Sequence, residues 1–240
     1  MDPSSSIIST TARHIPLASL LLVAFAVAVS LLPGVAECLQ YDRLAVAQGA
    51  MWRLMTSHFV HWSGEHLFWD VLALGLLGWM CEREGRGRFL SCVAVSTAII
   101  PLSLSIAEPQ MTTYRGLSGI DSALFAMLAV RVGKEAITDR NWLRLSLIGI
   151  VSIGFAAKVV YELVTGGTLF VDSSAGVMTP MPLAHVVGGL VGAVCALYKS
   201  PRSGSGSFYS WRNRPTGLLQ SRRPLSKQSF DGFFDRGGYL

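Results

Sequence analysis

The chain has 240 residues, 51% of them hydrophobic and only 15% charged, with a net charge of +5. A soluble domain carries about 25% charge, so this composition excludes an ordinary soluble globular domain and points to a membrane. Four cysteines (Cys38, Cys81, Cys92 and Cys195) have no CxxC spacing, so neither a disulfide framework nor a cysteine metal site is indicated.

Residues 1–14 are short, polar and Ser-rich. Residues 15–32 form a nearly uncharged apolar run ended by Pro33-Gly34, long enough to span. The same run also reads as a signal peptide, with Gly34-Val35-Ala36 as a small-residue cleavage site, although it exceeds the usual signal core of about 7–15 residues. Val35-Ala36-Glu37-Cys38 is similar to a lipoprotein cleavage site, but Glu37 stands where a small residue is needed. A mixed loop follows to Glu65, carrying Trp52-Arg53, Phe59 and Trp62. It suits either a solvated connection or an interfacial segment anchored by aromatics.

Residues 66–80 are the second predicted span, ended by the charged run 82–88. Residues 89–106 are the third, interrupted by Pro101, and residues 117–130 the fourth. A charged connection, 131–144, leads to the fifth span, 145–164, which contains Lys158. A Gly/Ser/Thr-rich loop, 165–181, precedes the sixth span, which ends at Tyr198. Residues 199–240 form a polar tail rich in Ser, Gly and Arg, of a composition that favours disorder. The expected organisation is an N-terminal segment 1–14, an all-α membrane domain 15–198 with six transmembrane helices, and a basic tail 199–240.

With the N-terminus inside, inner segments hold 16 of the 20 Lys and Arg residues and outer loops hold three, Arg43, Arg53 and Arg115. The positive-inside rule then places both ends in the cytoplasm. The tail carries about six net positive charges and reads as a membrane-surface or topology determinant. No pattern of interleaved aromatic and basic residues argues for nucleic acid.

Gly116-Leu117-Ser118-Gly119 opens the fourth span, and His185 lies near the start of the sixth. Taken alone, Ser118 reads more readily as a small packing residue and His185 as a core histidine. Yet the topology puts Ser118, His185 and His66 at the same depth, on the outer side, in three different spans. Ionisable groups in such places are expensive and suggest function. A serine as nucleophile and a histidine as its base is the simplest chemistry they offer.

These features together resemble the rhomboid family of intramembrane serine proteases, over residues 52 to about 198. Trp52-Arg53 is similar to the family's Trp-Arg pair in the first loop. The run His61-Trp62-Ser63-Gly64-Glu65-His66 is similar to its histidine-rich approach to the second span. Gly116-Leu117-Ser118-Gly119 matches its GxSG motif, and Ala184-His185 with Gly188 and Gly192 matches AHxxGxxxG. The small six-span form and the run Tyr114-Arg115-Gly116-Leu117-Ser118-Gly119 resemble the bacterial rhombosortase branch, which processes C-terminally anchored surface proteins.

The resemblance implies a six-helix rhomboid-like bundle in a bacterial inner membrane, cutting transmembrane protein substrates within the lipid bilayer. It implies Ser118 and His185 as the catalytic pair, supported by Gly116 and Gly119, with water as the only co-reactant and no cofactor or metal. It implies an oxyanion site made by the Ser118 amide, His66 and an asparagine four residues later. That last position is Asp70. Asp70 either donates as a neutral acid or pairs with His66 and orients it, and the second is preferred because residues four apart share a helix face. Ser122 stands where many rhomboids carry an aromatic that stacks on the catalytic histidine, so His185 is expected to be held differently. Asp121 is expected to pair structurally with Lys158. His58 and His61 lack the further ligands a metal needs. The loop from Gly166 to Thr179 is a candidate lid. A catalytically inactive rhomboid-like binding protein is the alternative function. A transporter using Asp70, Asp121 and Lys158 ranks last, since the two halves show no inverted repeat.

Overall fold

The computed structural model describes residues 15–169 and 180–198. The N-terminal segment, residues 170–179 of the candidate lid and the basic tail lie outside the described residues. Eight helices are present among the described residues. The six predicted spans fall on α1 (Leu17–Ser30), the two arms of α5 (Gly64–Ala107), α6 (Ser118–Thr138), α7 (Trp142–Thr165) and α8 (Pro182–Leu197). By length and apolarity, α5 and α7 suffice to cross a membrane, while α1 and α8 are shorter apolar helices.

The loop before α5 departs most from expectation. It is not an irregular connection. It contains α2 (Val35–Leu39), α3 (Arg43–Ala47), α4 (Trp52–Thr56) and a 3-10 turn, Ser57–Phe59. Strand β1 (Tyr41–Asp42) pairs antiparallel with β2 (Thr113–Tyr114), Tyr41 opposite Tyr114. Asp42 caps α3 by accepting from the Ala45 N–H at 2.8 Å. Arg43 then reaches the end of α5, donating to the carbonyls of Met111, Ser105 and Glu108 at 2.8, 3.1 and 2.7 Å. A helix C-terminus leaves its last carbonyls without partners, and one guanidinium satisfies several groups there. Arg53 does similar work within the loop, donating to Glu37 and Gln40 carbonyls at 2.8 and 2.9 Å.

The charged run 82–88 is not a connecting loop. Helical geometry continues on both sides of a single non-helical residue, Gly85. The chain folds back there, because the Phe89 ring lies 3.4 Å from where a Cβ of Gly78 would be. Eleven residues of straight helix would separate them by about 16 Å. Glu82 is buried, and its carboxylate caps α1, accepting from the Ala18 and Ser19 N–H groups at 3.1 and 2.8 Å. Such an anion at a helix N-terminus is favoured by the exposed amides and the helix dipole. Arg86 balances it at 2.8 Å. Pro101 sits inside the second arm and is buried there, without ending the helix.

Helix α6 packs on α5, α7 and α8 and forms the centre of the bundle. It runs past the predicted end of its apolar stretch because Arg131 finds Glu84 on α5. Helix α7 is the peripheral element, with only Val159 and Glu162 buried. Its exposed face carries Leu147, Ile150, Ile153, Val160 and Val164, the surface lipid would cover.

Candidate active site

Ser118 is the first residue of α6. Its N–H therefore belongs to the set a helix N-terminus leaves without an intrahelical partner. The turn before it is shaped by Gly116, whose φ of +124° disfavours any side chain. A Cβ at Gly116 would also lie 2.9 Å from the His66 ring. The Gly116 N–H donates to the Ser57 carbonyl at 3.1 Å, and its own carbonyl accepts from the Tyr114 hydroxyl at 3.1 Å.

Asp70 is the node of this turn. Its Oδ2 accepts from the Leu117 N–H at 2.8 Å and meets His61 Nε2 at 3.1 Å and His66 Nε2 at 3.2 Å. Both histidines and Asp70 are buried. The preferred sequence reading, Asp70 beside His66 on one helix face, is the geometry present. The backbone just before Ser118 is held by the same oxygen.

His58 and His61 face different partners. His58 lies between the carbonyls of Gly116 and Thr97, 3.3 Å from each, and is fully buried. Burial outweighs these contacts and lowers its pKa from 6.5 to about 4. Unfolded chains then bind a proton that the folded protein refuses between those values. Stability contributed by neutral His58 is complete above pH 6.5 and is lost as pH falls toward 4. The 6.5-to-4 difference corresponds to about 3 kcal/mol. Unfolding followed in detergent at pH 7.5 and pH 5 is expected to show this loss, and His58→Gln is expected to flatten it. Equal pH slopes for the two proteins would contradict the assignment. Tyr114, beside His58, is pushed well above the ordinary phenol range by burial and by the Asp70 and Asp121 carboxylates.

His185 lies on α8, and glycines bring that helix against α6. A Cβ at Gly188 would overlap the Gly119 carbonyl oxygen, and one at Gly192 would overlap that of Ala123. Gly119 is equally confined, its Cβ position being 2.9 Å from Ile100 and 3.2 Å from the Ala184 carbonyl. The residue after Ser118 thus abuts the residue before His185. Small residues allow this approach between helices in a membrane. Ser118, His185, His66, Asp70 and Asp121 all line one cavity of about 590 Å³.

Two expectations about this cavity are corrected or refined. Lys158 does not pair with Asp121. Its Nζ lies 2.6 Å from Oε1 of Glu162, one turn along the same helix. Both carboxylate oxygens of Asp121 are buried without a hydrogen-bond partner among the described residues. Ser122 does not reach His185, because its hydroxyl donates to the Ser118 carbonyl at 2.7 Å. Instead His185 Nδ1 lies 2.9 Å from Glu162 Oε2. The contact is close but off the line of a good hydrogen bond. Glu162 went unnoticed in the sequence. The signal was present: Lys158 and Glu162 are charges four residues apart in an otherwise apolar span, a spacing that shares one helix face.

The whole arrangement, from the Trp52-Arg53 loop to the AHxxGxxxG helix, lies within residues 48–202, which match the sequence profile of the Rhomboid domain. That is more than half of the 240 residues. The chain belongs to the rhomboid family. A search of curated proteins finds no match to it. Rhomboids are integral membrane proteins, generally serine proteases acting on membrane-protein substrates, and the apolar helices of this rhomboid fit that setting.

Proposed function

We propose that this rhomboid is an active intramembrane serine endopeptidase. The observation that carries the reading is that Ser118 and His185 open onto one cavity, with Gly119 packed against Ala184 beneath them. Ser118 Oγ attacks the scissile carbonyl while His185 takes its proton. The tetrahedral oxyanion is stabilised by the Ser118 N–H at the start of α6, in a turn that Asp70 holds together with His66. His185 returns the proton to the leaving amine as the C–N bond breaks. Water then hydrolyses the acyl-enzyme by the same proton path. Gly116 gives the turn its shape and Gly119 the close helix contact.

The bundle spans the membrane six times through residues 15–198. Residues 1–14 and the basic tail 199–240 are cytoplasmic, and the cavity opens toward the outer side of a bacterial inner membrane. A C-terminally anchored surface protein, presenting its single span near that face, is the substrate class supported by the rhombosortase-like run around Ser118. No cofactor or metal is called for.

The test is cleavage of a transmembrane reporter in proteoliposomes by the native chain, Ser118→Ala and His185→Ala. Native cleavage is expected, with a loss of at least about 1000-fold in each variant. A fluorophosphonate probe is expected to label the native protein at Ser118. Asp70, in place of the family's asparagine, is the observation that favours the alternative of an inactive binding protein. Absence of both cleavage and labelling in folded protein would decide for that alternative.

A further inference from the structure

We infer that Glu162 is a positioning residue for His185, so that the site works as a serine–histidine–glutamate relay. The inference rests on the protease reading above and deepens it. Three observations support it. Glu162 Oε2 approaches His185 Nδ1 at 2.9 Å, while Oε1 holds Lys158 at 2.6 Å, so each carboxylate oxygen has a cationic or ionisable neighbour. Glu162 is only 3% exposed on a helix where Val159 is the other buried residue. A carboxylate placed in an apolar span is costly and persists where it is paired and useful. Finally, Ser122 does not hold the His185 ring, since its hydroxyl bonds to its own helix.

The chemistry follows from which ring nitrogen is engaged. With Nδ1–H directed at Glu162, the Nε2 lone pair is free for the Ser118 hydroxyl. As the Oγ–C bond forms, the Oγ proton passes to Nε2, and the Glu162 carboxylate stabilises the imidazolium without taking a proton. The same proton leaves with the amine when the C–N bond breaks. In deacylation, water gives its proton to Nε2 as its oxygen bonds the acyl carbon, and Ser118 recovers a proton as the ester bond breaks. The off-line approach of Nδ1 and Oε2 is in keeping with catalytic hydrogen bonds that tighten only on substrate binding. Lys158 anchors the far oxygen and fixes the carboxylate's rotation.

Glu162→Gln is the deciding variant. It keeps the shape but presents an amide that favours the wrong imidazole tautomer. Its kcat in proteoliposomes is expected to fall by about 100- to 10,000-fold with KM changed less than about threefold. Glu162→Asp, which keeps the carboxylate, is expected to recover at least about tenfold of that loss and serves if the glutamine variant fails to fold. Independently of activity, ¹⁵N NMR of histidine-labelled protein in micelles is expected to show His185 as the Nδ1–H tautomer, moving toward Nε2–H in Glu162→Gln. An unchanged tautomer, or parallel losses in the Gln and Asp variants that track only thermal stability, would overturn the inference. A native chain that neither cleaves nor labels sinks the protease reading instead. The tautomer still reports whether Glu162 positions the ring.

Discussion

Replacing Gly192 by alanine is expected to destabilise the protein by about 3 kcal/mol, at the upper end of overpacking effects, and to cut proteolysis by about 100-fold. The added Cβ would lie 2.6 Å from the Ala123 carbonyl carbon and 2.8 Å from its Cα. Those atoms are helix backbone and cannot swing aside. Helices α6 and α8 would have to separate, moving His185 away from Ser118. Gly189→Ala is the control, because its Cβ would meet nothing within 4 Å. Thermal unfolding in detergent and reporter cleavage should change for the first variant and hardly at all for the second. Equal behaviour of the two would show that the glycine contact does not set the site.

The second large effect is expected at Asp70. Asp70→Ala leaves the Leu117 N–H, His61 and His66 facing an empty acceptor position. Breaking a buried pair in this way costs about 3–5 kcal/mol. Asp70→Asn separates the two accounts of this residue. It restores the family's asparagine and keeps one oxygen for Leu117, but gives up the charge that attracts both histidines. If Asp70 positions His66, cleavage by Asp70→Asn falls, by about tenfold or more. If the position instead serves as an oxyanion donor, the amide improves on the carboxyl and cleavage rises. Measuring kcat for the native chain and Asp70→Asn in the same liposomes decides the matter.

Much of the candidate site was legible because it rests on local spacing. GxSG shows a serine flanked by Gly116 and Gly119, and the glycines three and seven residues after His185 mark one helix face. His66 and Asp70, four apart, were readable as neighbours on the same principle. The loop before α5 was not legible in this way. Its order comes from Arg43 and His58 reaching residues far along the chain, and nothing local announces those partners. The continuation of α6 past its apolar stretch was hidden too, because Arg131 is stabilised by Glu84, 47 residues away.

By itself, the sequence determined a membrane setting, the six apolar stretches, the hydroxyl and imidazole candidates, and the glycines that let their helices meet. These follow from composition and from the 3.6-residue period, both properties of short segments. Only the tertiary structure decided which charges meet. Asp121 and Lys158 were expected to pair because an unpaired buried charge is costly, yet Lys158 reaches along its own helix to Glu162, and Glu162 turns to His185. Such pairing depends on how each helix is rotated about its axis. That rotation is set by packing, here by the glycines of α8 that lie against the α6 backbone.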